Sequence, residues 1–481
     1  MEIPSTIIMD KREDNPKIPD PVKGWDIQNV LQLADKLDKN GYILNTGAFN
    51  DYSLLFLYEK GFKNLIGIDL NQNIIKQVGY TNVKYMVNNM YNTHYPSHIF
   101  DAIISISTVE HSHGVEDVKR FLNEAKRLLR PNGILYMSTD YNETKINTMR
   151  YKIFNLPWNI FSKDEIREIL DYMEKIGFEV DKNIPSQTSK LVHWNRKDYT
   201  FLAIIARLRA DVPDNMKKQT DGVSLFVDTY GFHEGISEYT KMLAYHFQNN
   251  GYEVLINERK KGYPVIYEYH PGITATNFNP ETDILDNHGN SGITGKHIIV
   301  HDTELHYTDN YYVIPHIEYL NTANVKVNPK QIICSFGFGF KFKRFDLVEA
   351  FASKLSVPAK ILVSVNQITP SVIAPKSAKI GYWEYNDLLN ELSECGVVVF
   401  AYDNKKTQVS GAMRLATTAL GIPAVSITKS YQAYEAQLPI VDPAAITKEE
   451  LFSIKPSNIF KSSKLYIGLV NEFSNTSSQS I

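Results

Sequence analysis

Residues 41–71 read GYILNTGAFNDYSLLFLYEKGFKNLIGIDLN and decide the fold of the first part of the chain. The apolar run Tyr42–Leu44 is followed by a turn of small and polar residues and then by a helix-like segment, Tyr52–Lys60. Gly61 ends that segment, and a second apolar run ends at Asp69. This order of strand, turn, helix and strand predicts a βαβ unit of a doubly wound sheet, in which the first turn holds an adenosine-containing ligand.

Two residues of this stretch are candidates for binding that ligand. Asp69 follows Gly47 by about 20 residues, the spacing at which a strand-end carboxylate accepts hydrogen bonds from ribose hydroxyls. A complete G-x-G-x-x-G is absent, because Gly47 is the only glycine in the turn. The stretch alone is equally compatible with a structural βαβ unit in which Asp69 caps the next helix.

The composition predicts a globular protein of two or three domains. The chain has 481 residues, of which 43% are hydrophobic and 22% charged. Its formal net charge of −3 offers no general attraction to nucleic acid, so we expect no nucleic-acid partner. No apolar run is long enough for a transmembrane helix, which leaves peripheral membrane contact open.

The two cysteines, Cys334 and Cys395, both lie in apolar, strand-like contexts. Cysteines in such contexts are predicted to be buried free thiols and not metal ligands. The low cysteine content and the lack of a signal-peptide-like segment predict a reducing, cytoplasmic setting.

Strands and helices continue to alternate after the opening unit. Val83–Val87 is predicted as the third strand, Phe100–Ser107 as a fourth that is apolar on both faces, and Gly133–Thr139 as the fifth. An amphipathic helix over Val115–Leu129 buries Val118, Phe121, Leu122, Ala125 and Leu128. This alternation predicts a parallel sheet with helices on both faces.

This part of the chain resembles a class I S-adenosylmethionine-dependent methyltransferase. ILNTGAF (43–49) is similar to the first motif of that family, and GIDLN (67–71) to its ribose-binding acid. FDAIISISTVEHSH (100–113) resembles the fourth motif, and FLNEAKRLLRPNGILYMST (121–139) the helix and strand that follow it. The resemblance implies a Rossmann-like domain over 25–208, ending in an antiparallel pair, Gly177–Val180 and Tyr199–Ala206.

The resemblance also implies bound S-adenosylmethionine. Three departures from the family pattern bear on that cofactor. Ala48, Phe49 and Asn50 replace glycines, and larger side chains there narrow the approach to the cofactor. Asn45 stands where a carboxylate is common, and the loop at 88–89 lacks the acid that often contacts the adenine. The implied cofactor-binding residues are Asn45, Thr46, Gly47, Asp69, Leu70, Asn89 and Met90.

Glu110 and His111 are the candidate catalytic residues. His111 follows the carboxyl end of the fourth strand, where ligands bind in this architecture. A histidine pKa near neutrality suits removal of a proton from an acceptor hydroxyl, with Glu110 orienting the ring or acting itself. The alternative is that both residues cap the following helix and line the cofactor pocket. Their spacing with His113 is not that of metal ligands, so no metal is expected.

A second α/β pattern begins at Gly222, after a polar, proline-containing stretch, and a third begins near Ile332. The predicted domains are a lead-in (1–24), the methyltransferase-like domain (25–208), a linker (209–221), an N-lobe (222–330), a C-lobe (331–470) and a disordered tail (471–481).

The second half resembles a compact GT-B glycosyltransferase, a fold of two Rossmann-like lobes. HEGISEYTKMLAYHFQNNGYEVLI (233–256) is similar to the opening of that family, and SFGFGFKFKRFDLVEAF (335–351) to the entry of its second lobe. The segment 382–427 is similar to its nucleotide-sugar region. The resemblance implies a nucleotide-sugar donor as co-substrate and a saccharide or glycolipid acceptor.

Cations and a helix start are the candidates for binding the donor diphosphate. Ser410 opens a predicted helix whose N-terminus favours an anion, and Lys405 precedes it. The alternative is that Arg344 and the lysines of these loops are ordinary charged side chains exposed to solvent. His301 and His316 lie at strand ends that face the predicted cleft, where a histidine is more often structural than catalytic. The candidate donor-sugar and phosphate residues are Glu234, Gly235, His316, Lys341, Lys343, Lys406, Ser410 and Gly411.

The sequence thus predicts a bifunctional enzyme of glycan assembly, with O-methylation of a sugar or small molecule by the first domain and glycosyl transfer by the second half. The alternative is a catalytically inactive glycan-binding module that brings substrate to the methyltransferase. The paired glutamates of the GT-B family are unmatched, because Lys406 and Arg414 stand there, which favours the binding module. The helix start at Ser410 favours glycosyl transfer, and the lack of a basic stripe disfavours methylation of nucleic acid.

Overall fold

A computed structural model describes residues 2–9, 21–77, 83–148, 151–153, 155–187, 192–228, 234–269, 275–288, 295–301, 311–322, 324–338, 343–364, 375, 377–381, 385–403, 419–430, 438–456 and 462–477. The chain divides into two compact units. The first comprises Met1–Gln77, Val83–Gln219 and Ile467–Asn475, and the main part of the second is Thr220–Tyr466.

The first unit is an α/β unit built around one mixed sheet. Its strands are β1 (Ser5–Ile8), β2 (Tyr42–Thr46), β3 (Asn64–Asp69), β4 (Val83–Val87), β5 (Phe100–Ser105), β6 (Leu129–Tyr141), β7 (Lys152–Ile153), β8 (Leu156–Pro157), β9 (Phe178–Glu179), β10 (Val192–Trp194) and β11 (Lys197–Leu208). Its helices are α1 (Pro21–Ala34), α2 (Ser53–Glu59), α3 (Val115–Leu128) and α4 (Lys163–Ile176), with short 3₁₀ helices at Gln72–Lys76 and Val109–His111.

The sheet confirms the Rossmann-like prediction for this unit. Its strand order is β1-β11-β6-β5-β2-β3-β4, with β2 to β6 parallel and β11 antiparallel to β6. The order therefore reverses at β2, which places a ligand crevice at the carboxyl ends of β2 and β5. The predicted antiparallel pair at the end of the domain is present, with Arg207 opposite Glu179.

Burial in the first unit follows the apolar pattern of the sequence. All five residues of β2 are buried, as are residues 102–105 of β5, because helices cover both faces of a parallel sheet. Helix α3 buries the predicted inner face, Val118, Phe121, Leu122, Ala125 and Leu128. Helix α4 begins with a capping box between Ser162 and Glu165 and ends at Gly177, whose φ of 110° suits a glycine.

The second unit contains two parallel sheets. Its strands are β12 (Gly222–Val227), β13 (Glu253–Ile256), β14 (Val265–Tyr269), β15 (Ile284–Asn287), β16 (His297–Val300), β17 (Tyr311–Val313), β18 (Ile333–Phe338), β19 (Ala359–Ser364), β20 (Lys379–Gly381), β21 (Val397–Phe400) and β22 (Ala424–Ser426). The helices among the described residues are α5 (Glu234–Asn249), α6 (Phe345–Lys354), α7 (Tyr385–Leu392), α8 (Lys448–Ser453) and α9 (Ser463–Ser477), whose later residues belong to the first unit.

Both sheets have the strand order of doubly wound folds. The orders are β13-β12-β14-β15-β16-β17 and β20-β19-β18-β21-β22, with every pair parallel. In each sheet the strand order reverses beside the strand that comes first in the chain, β12 or β18. Ligands bind at such a reversal in this class of fold. The second half is therefore α/β with two Rossmann-like sheets.

Three segments expected to be unstructured contain ordered structure. Ser5–Ile8, in the predicted lead-in, forms an antiparallel edge strand on β11, because its Thr-Ile-Ile run is apolar and β-branched. In the predicted linker, Asn215 is 2% exposed and donates to the carbonyl oxygen of Ser97 at 2.9 Å.

The predicted disordered tail is wrong over 471–477, because α9 continues to Ser477. Asn471 is fully buried in this helix. Its side chain accepts from the backbone of Gln219 at 2.9 Å and donates to the carbonyl of Asn215 at 2.8 Å. These bonds satisfy a polar group whose burial the local composition does not reveal.

The prediction of two free thiols is wrong, because Cys334 and Cys395 form a disulfide. Cys334 lies in β18, and Cys395 precedes the neighbouring parallel strand β21. This pairing of strands places the two Cα atoms 5.9 Å apart, within the usual range for a disulfide.

None of the helices in the described residues is both long and apolar enough to cross a membrane.

Candidate functional site

The first candidate site lies at the carboxyl edge of the sheet in the first unit. Thr46 ends β2 and pairs with Ile68 of β3 and Ser105 of β5. The predicted residues that follow these strands, Gly47, Asp69 and the 3₁₀ turn 109–111, therefore emerge along one edge. The structure thus brings together the cofactor and catalytic candidates that the sequence places in separate motifs.

Gly47 is held in a conformation that excludes other residues. Its φ is +77°, and a Cβ atom there would lie 2.2 Å from Oγ1 of Thr108. Its backbone nitrogen donates to the carbonyl of Ile68 at 2.9 Å, and the nitrogen of Ala48 donates to the same oxygen at 3.0 Å. The turn is therefore fixed against both neighbouring strands.

The predicted narrowing of this turn by larger side chains is not seen for Ala48 and Phe49. Ala48 is fully buried in the core, and Phe49 packs against the same core cluster. Gly67 makes room for Ala48, because a Cβ at Gly67 would lie 2.9 Å from that of Ala48. Asn50 is exposed with a φ of 60°, and its backbone donates to the side chain of Gln77.

Asp69 joins the two loops of the site. Its Oδ2 accepts from the backbone nitrogen of Phe49 at 3.2 Å, and its Oδ1 accepts from that of Asn71 at 2.8 Å. The structural role of Asp69 is thus real, yet a carboxylate has about four acceptor sites, so ribose hydroxyls fit as well. Leu70 beside it is 61% exposed, an apolar surface that suits an adenine ring.

Asn45 and Thr46 have side chains buried below the turn. The amide of Asn45 donates to Oδ2 of Asp51 at 2.6 Å and to Oγ of Ser53 at 2.8 Å. Asp51 in turn accepts from the backbone nitrogen of Ser53 at 2.7 Å at the start of α2. Asp51 therefore supplies a buried carboxylate close to Asn45, the position where the family commonly has an acid. The motif comparison missed Asp51.

The loop after β4 also borders this edge. Asn88 donates its backbone nitrogen to the carbonyl of Asp69 at 3.0 Å and its side chain to the carbonyl of Thr93 at 2.6 Å. Asn89 is exposed and Met90 half-buried, next to that anchor.

Glu110 and His111 lie in the 3₁₀ turn between β5 and α3. Glu110 is 2% exposed, whereas His111 is half-buried. His111 Nδ1 lies 3.3 Å from the carbonyl oxygen of Pro157. A carbonyl only accepts, so Nδ1 is the donor of this pair. The capping part of the alternative is wrong, because no side chain caps α3 at its N-cap residue, Gly114. Whether the two residues line the cofactor pocket stays a prediction.

Asn159 fixes this turn and was missed in the sequence. Its backbone nitrogen and its amide donate to the carbonyl of Glu110 at 2.8 and 2.9 Å, and the amide also reaches the carbonyl of Ser112 at 2.6 Å. No local signal marks Asn159, because it acts on a turn almost fifty residues earlier in the chain. His113 is directed elsewhere and pairs with Asp117 at 3.1 Å.

Tyr141 is a further polar residue at this edge. It ends β6 and is fully buried, and its hydroxyl has no hydrogen-bond partner among the described residues. Burial raises the pKa of Tyr141 to about 12, so the phenol stays protonated.

Among the predicted phosphate residues that the structure describes, Lys343 has a distinctive environment. It is 7% exposed, and burial lowers its pKa to about 8. Its Nζ lies 2.7 Å from the position of a Cβ on Gly337, at the end of β18. Arg344 instead forms ion pairs with Asp346 at 2.6 Å and Asp403 at 3.5 Å.

The structure gives little information about the other residues predicted to bind the donor. Glu234 and Gly235 are the first two residues of α5. Lys341, Lys405, Lys406, Ser410 and Gly411 lie outside the described residues.

The two strand-end histidines of the second unit belong to a buried polar cluster. His301 follows β16 directly, His316 follows β17, and both are less than a tenth exposed. Their neighbours are Glu268, Asp286 and His288, which the sequence reading missed although each lies at a strand end.

The two carboxylates of that cluster have opposite pKa shifts. Burial and the neighbouring Asp286 carboxylate raise the pKa of Glu268 well above its usual range. Burial acts in the same direction on Asp286 but is outweighed by His301 and His288, so its pKa lies below the usual range.

Comparison with known proteins finds similarity in the first unit. Residues 44–137 match the family model described as a methyltransferase domain. The match extends from β2 into β6, so this part of the chain is similar to a methyltransferase domain, in agreement with the resemblance seen in its sequence. No curated protein sequence matches the chain.

Solved structures with a similar fold carry related descriptions. An S-adenosylmethionine-dependent methyltransferase from Methanosarcina mazei is 16% identical, covering 37% of this chain and 98% of that one at a TM-score of 0.30. One from Mesorhizobium loti is 15% identical, covering 37% and 96% at 0.29. One from Archaeoglobus fulgidus is 16% identical, covering 38% and 94% at 0.30.

Proposed function

We propose that the first unit transfers a methyl group from S-adenosylmethionine to a hydroxyl of a sugar or another small molecule. The observation that carries the proposal is the convergence of Gly47, Asp69 and Leu70 at the carboxyl edge where the strand order reverses. Asp69 offers a carboxylate for ribose hydroxyls, and Leu70 offers an exposed apolar surface beside it.

His111 is the proposed base. The cofactor, when bound, supplies an electrophilic methyl group. Nε2 of His111 removes the proton of the acceptor hydroxyl, while the bond from Nδ1 to the carbonyl of Pro157 holds the ring. Asn159 positions the turn through the carbonyl of Glu110. Buried Glu110 is the second candidate for the base or for a charge that steadies the protonated imidazole.

Calorimetry of the full chain with S-adenosylmethionine tests the binding step, and transfer of a labelled methyl group to a panel of saccharides and small hydroxyl compounds tests the reaction. We expect binding by the wild type that Asp69→Ala abolishes. A folded wild type that does not bind would refute the methyltransferase activity. Binding with transfer to nitrogen acceptors alone would refute the hydroxyl acceptor and leave the cofactor assignment intact.

For the second unit we propose nucleotide-sugar-dependent transfer to a saccharide or glycolipid acceptor. Lys343 supports this proposal, because it is a buried amine close to Gly337 of β18, and lysine ammonium groups commonly bind phosphate. Two doubly wound sheets are compatible with the two lobes of a GT-B enzyme.

The alternative is a glycan-binding module without turnover. A panel of nucleotide sugars incubated with the full chain separates the two, since hydrolysis or transfer of one donor is expected from an enzyme. Saccharide binding without consumption of any donor would favour the module.

A further inference from the structure

Three histidines and two carboxylates of the second unit converge at one edge of its first sheet. Glu268 lies in β14, Asp286 in β15 and His288 directly after β15, whereas His301 and His316 follow β16 and β17. Strands β14 to β17 are parallel neighbours, so all five residues lie at their carboxyl ends. Each side chain is buried, and the most exposed of them reach only 7%.

The possible donor atoms are close enough to share one ion. One nitrogen from each of His288, His301 and His316 lies within 4.8 Å of the others, and the same holds for donor atoms of Glu268, Asp286 and His288. Tetrahedral zinc, with bonds of about 2.0–2.1 Å, holds its ligand atoms roughly 3.4 Å apart. Small shifts of these side chains therefore suffice to surround such an ion.

The imidazole ring of His301 contacts a carbonyl through one nitrogen and a carboxylate through the other. Nδ1 lies 2.7 Å from the carbonyl oxygen of Ile314, so it donates its proton there. Nε2 lies 2.9 Å from Oδ1 of Asp286, the distance of an ion pair if the ring carries a second proton. A divalent cation in place of that second proton would satisfy the same nitrogen and the same carboxylate. Fixing one imidazole nitrogen through a carbonyl is the usual support of a metal-bound histidine.

A second layer of hydrogen bonds holds the carboxylate. Oδ2 of Asp286 accepts from Oη of Tyr466 at 2.6 Å, and that hydroxyl is 2.9 Å from Oη of Tyr239. The backbone nitrogen of Ile317 donates to Tyr239 at 3.2 Å. Outer contacts of this kind orient metal ligands.

The two buried carboxylates of the cluster also suit a bound cation. Glu268 is 1% exposed and Asp286 fully buried, and buried carboxylates are costly unless they are paired or coordinate a metal. Nε2 of His288 lies 2.8 Å from Oε2 of Glu268 and 3.7 Å from Oδ1 of Asp286, so both carboxylates face the same imidazole.

We propose that Glu268, Asp286, His288, His301 and His316 form a binding site for one first-row divalent cation, with Zn²⁺ as the preferred ion. The three imidazoles are ligands, and a carboxylate completes the coordination. Imidazole-rich sets of this kind suit zinc, whereas calcium and magnesium prefer oxygen ligands throughout. The site is independent of the methyltransferase proposal, because its residues all belong to the second unit.

Metal analysis of the full chain tests this proposal. We expect about one equivalent of zinc per chain after purification without metal-affinity resin. Chelator-stripped protein should bind Zn²⁺ in calorimetry, and Co²⁺ in its place should give the visible absorption of a tetrahedral site. Stripped wild type that stays folded by circular dichroism and binds neither ion would overturn the site.

Matched variants separate this site from adventitious binding. His301→Gln and His316→Gln should lose the bound zinc, whereas His297→Gln, at the opposite end of β16, should keep it. Tyr466→Phe, which keeps the ring, should weaken zinc binding by about 10- to 100-fold. Equal zinc content in His301→Gln and His297→Gln would show that the cluster is a polar network without a metal. Should a glutamine variant fail to fold, the wild-type and Tyr466→Phe titrations decide.

Discussion

Oδ2 of Asp69 lies 3.2 Å from the backbone nitrogen of Phe49, so one carboxylate joins the end of β3 to the turn after β2. Asp69→Asn keeps the size but removes the charge, and hydrogen bonds to a charged group contribute about 1.5–3 kcal/mol. We expect the dissociation constant for S-adenosylmethionine to rise by about 10- to 100-fold, measured by calorimetry. Asp211→Asn, at an exposed position, is the control and should bind like the wild type.

Gly47→Ala should abolish cofactor binding and destabilise the first unit. An alanine there meets Oγ1 of Thr108 at 2.2 Å in addition to the strain of a φ of +77°. Gly177→Ala is the matched control, because its φ is +110° and nothing lies within 4 Å of its Cβ position. The control should cost about 1–2 kcal/mol in denaturant unfolding, and the Gly47 variant more. Similar losses in the two would contradict the close contact with Thr108.

His111→Gln should slow methyl transfer by about 10²- to 10⁴-fold, because the base is lost. Its affinity for S-adenosylmethionine should not change. Asn159→Leu should lower the rate in the same assay, since it releases the carbonyl of Glu110 and shifts the turn. A fall in rate for Glu110→Gln with full activity in His111→Gln would transfer the role of base to Glu110.

Binding of a nucleoside diphosphate by the full chain should weaken as the pH rises from 7 to 9. Burial lowers the pKa of Lys343 to about 8, so its amine is charged below that pH and neutral above it. Lys343→Met should bind uridine diphosphate weakly at every pH, and Lys354→Met, in the last turn of α6, should keep the wild-type profile. A wild-type affinity that does not vary over this range would exclude Lys343 as the phosphate ligand.

Arg130 holds the segment after β11 against the first unit. Its guanidinium donates to both oxygens of Asp214 at 3.0 and 3.1 Å and to Asp101 at 2.9 Å. Arg130→Met should lower the free energy of unfolding at pH 7 by about 1–3 kcal/mol, the range for charged hydrogen bonds.

The contact between Arg130 and Asp214 also makes the free energy of unfolding depend on pH in the acid range. Burial alone would raise the pKa of Asp214, but the hydrogen bond and charge of Arg130 bring it below the usual range. The stabilisation is therefore present above the ordinary aspartate pKa of about 4 and is lost as the pH falls through the lower folded value. Urea unfolding at pH 7 and at pH 3 should show a difference between wild type and Arg130→Met that shrinks in acid.

The spacing of apolar residues within single helices and strands predicted the buried faces of those elements. The inner face of α3 and the buried strands β2 and β5 follow from apolar spacing alone. The disulfide could not be predicted this way, because Cys334 and Cys395 meet only through the pairing of β18 with β21.

The residues of the candidate sites also differ in whether a single stretch of sequence marks them. Asp69 and Gly47 stand in one contiguous stretch, from which the sequence predicts both as site residues, whereas Asn159 acts across 49 positions on Glu110 and has no local mark. His301 and His316 were noticed singly at strand ends. Their partner Asp286 became apparent only when the strand order of the sheet was known.

The outer edge of β11 is covered by three short strands in succession. Val192–Trp194 pairs near its start, Ser5–Ile8 over Leu202–Ile205 and Phe178–Glu179 at its end. Open strand edges template intermolecular pairing and aggregation. An expression fragment that begins at residue 25 would uncover four apolar positions of β11, so the shortest well-behaved fragment of the first unit must carry residues 5–8.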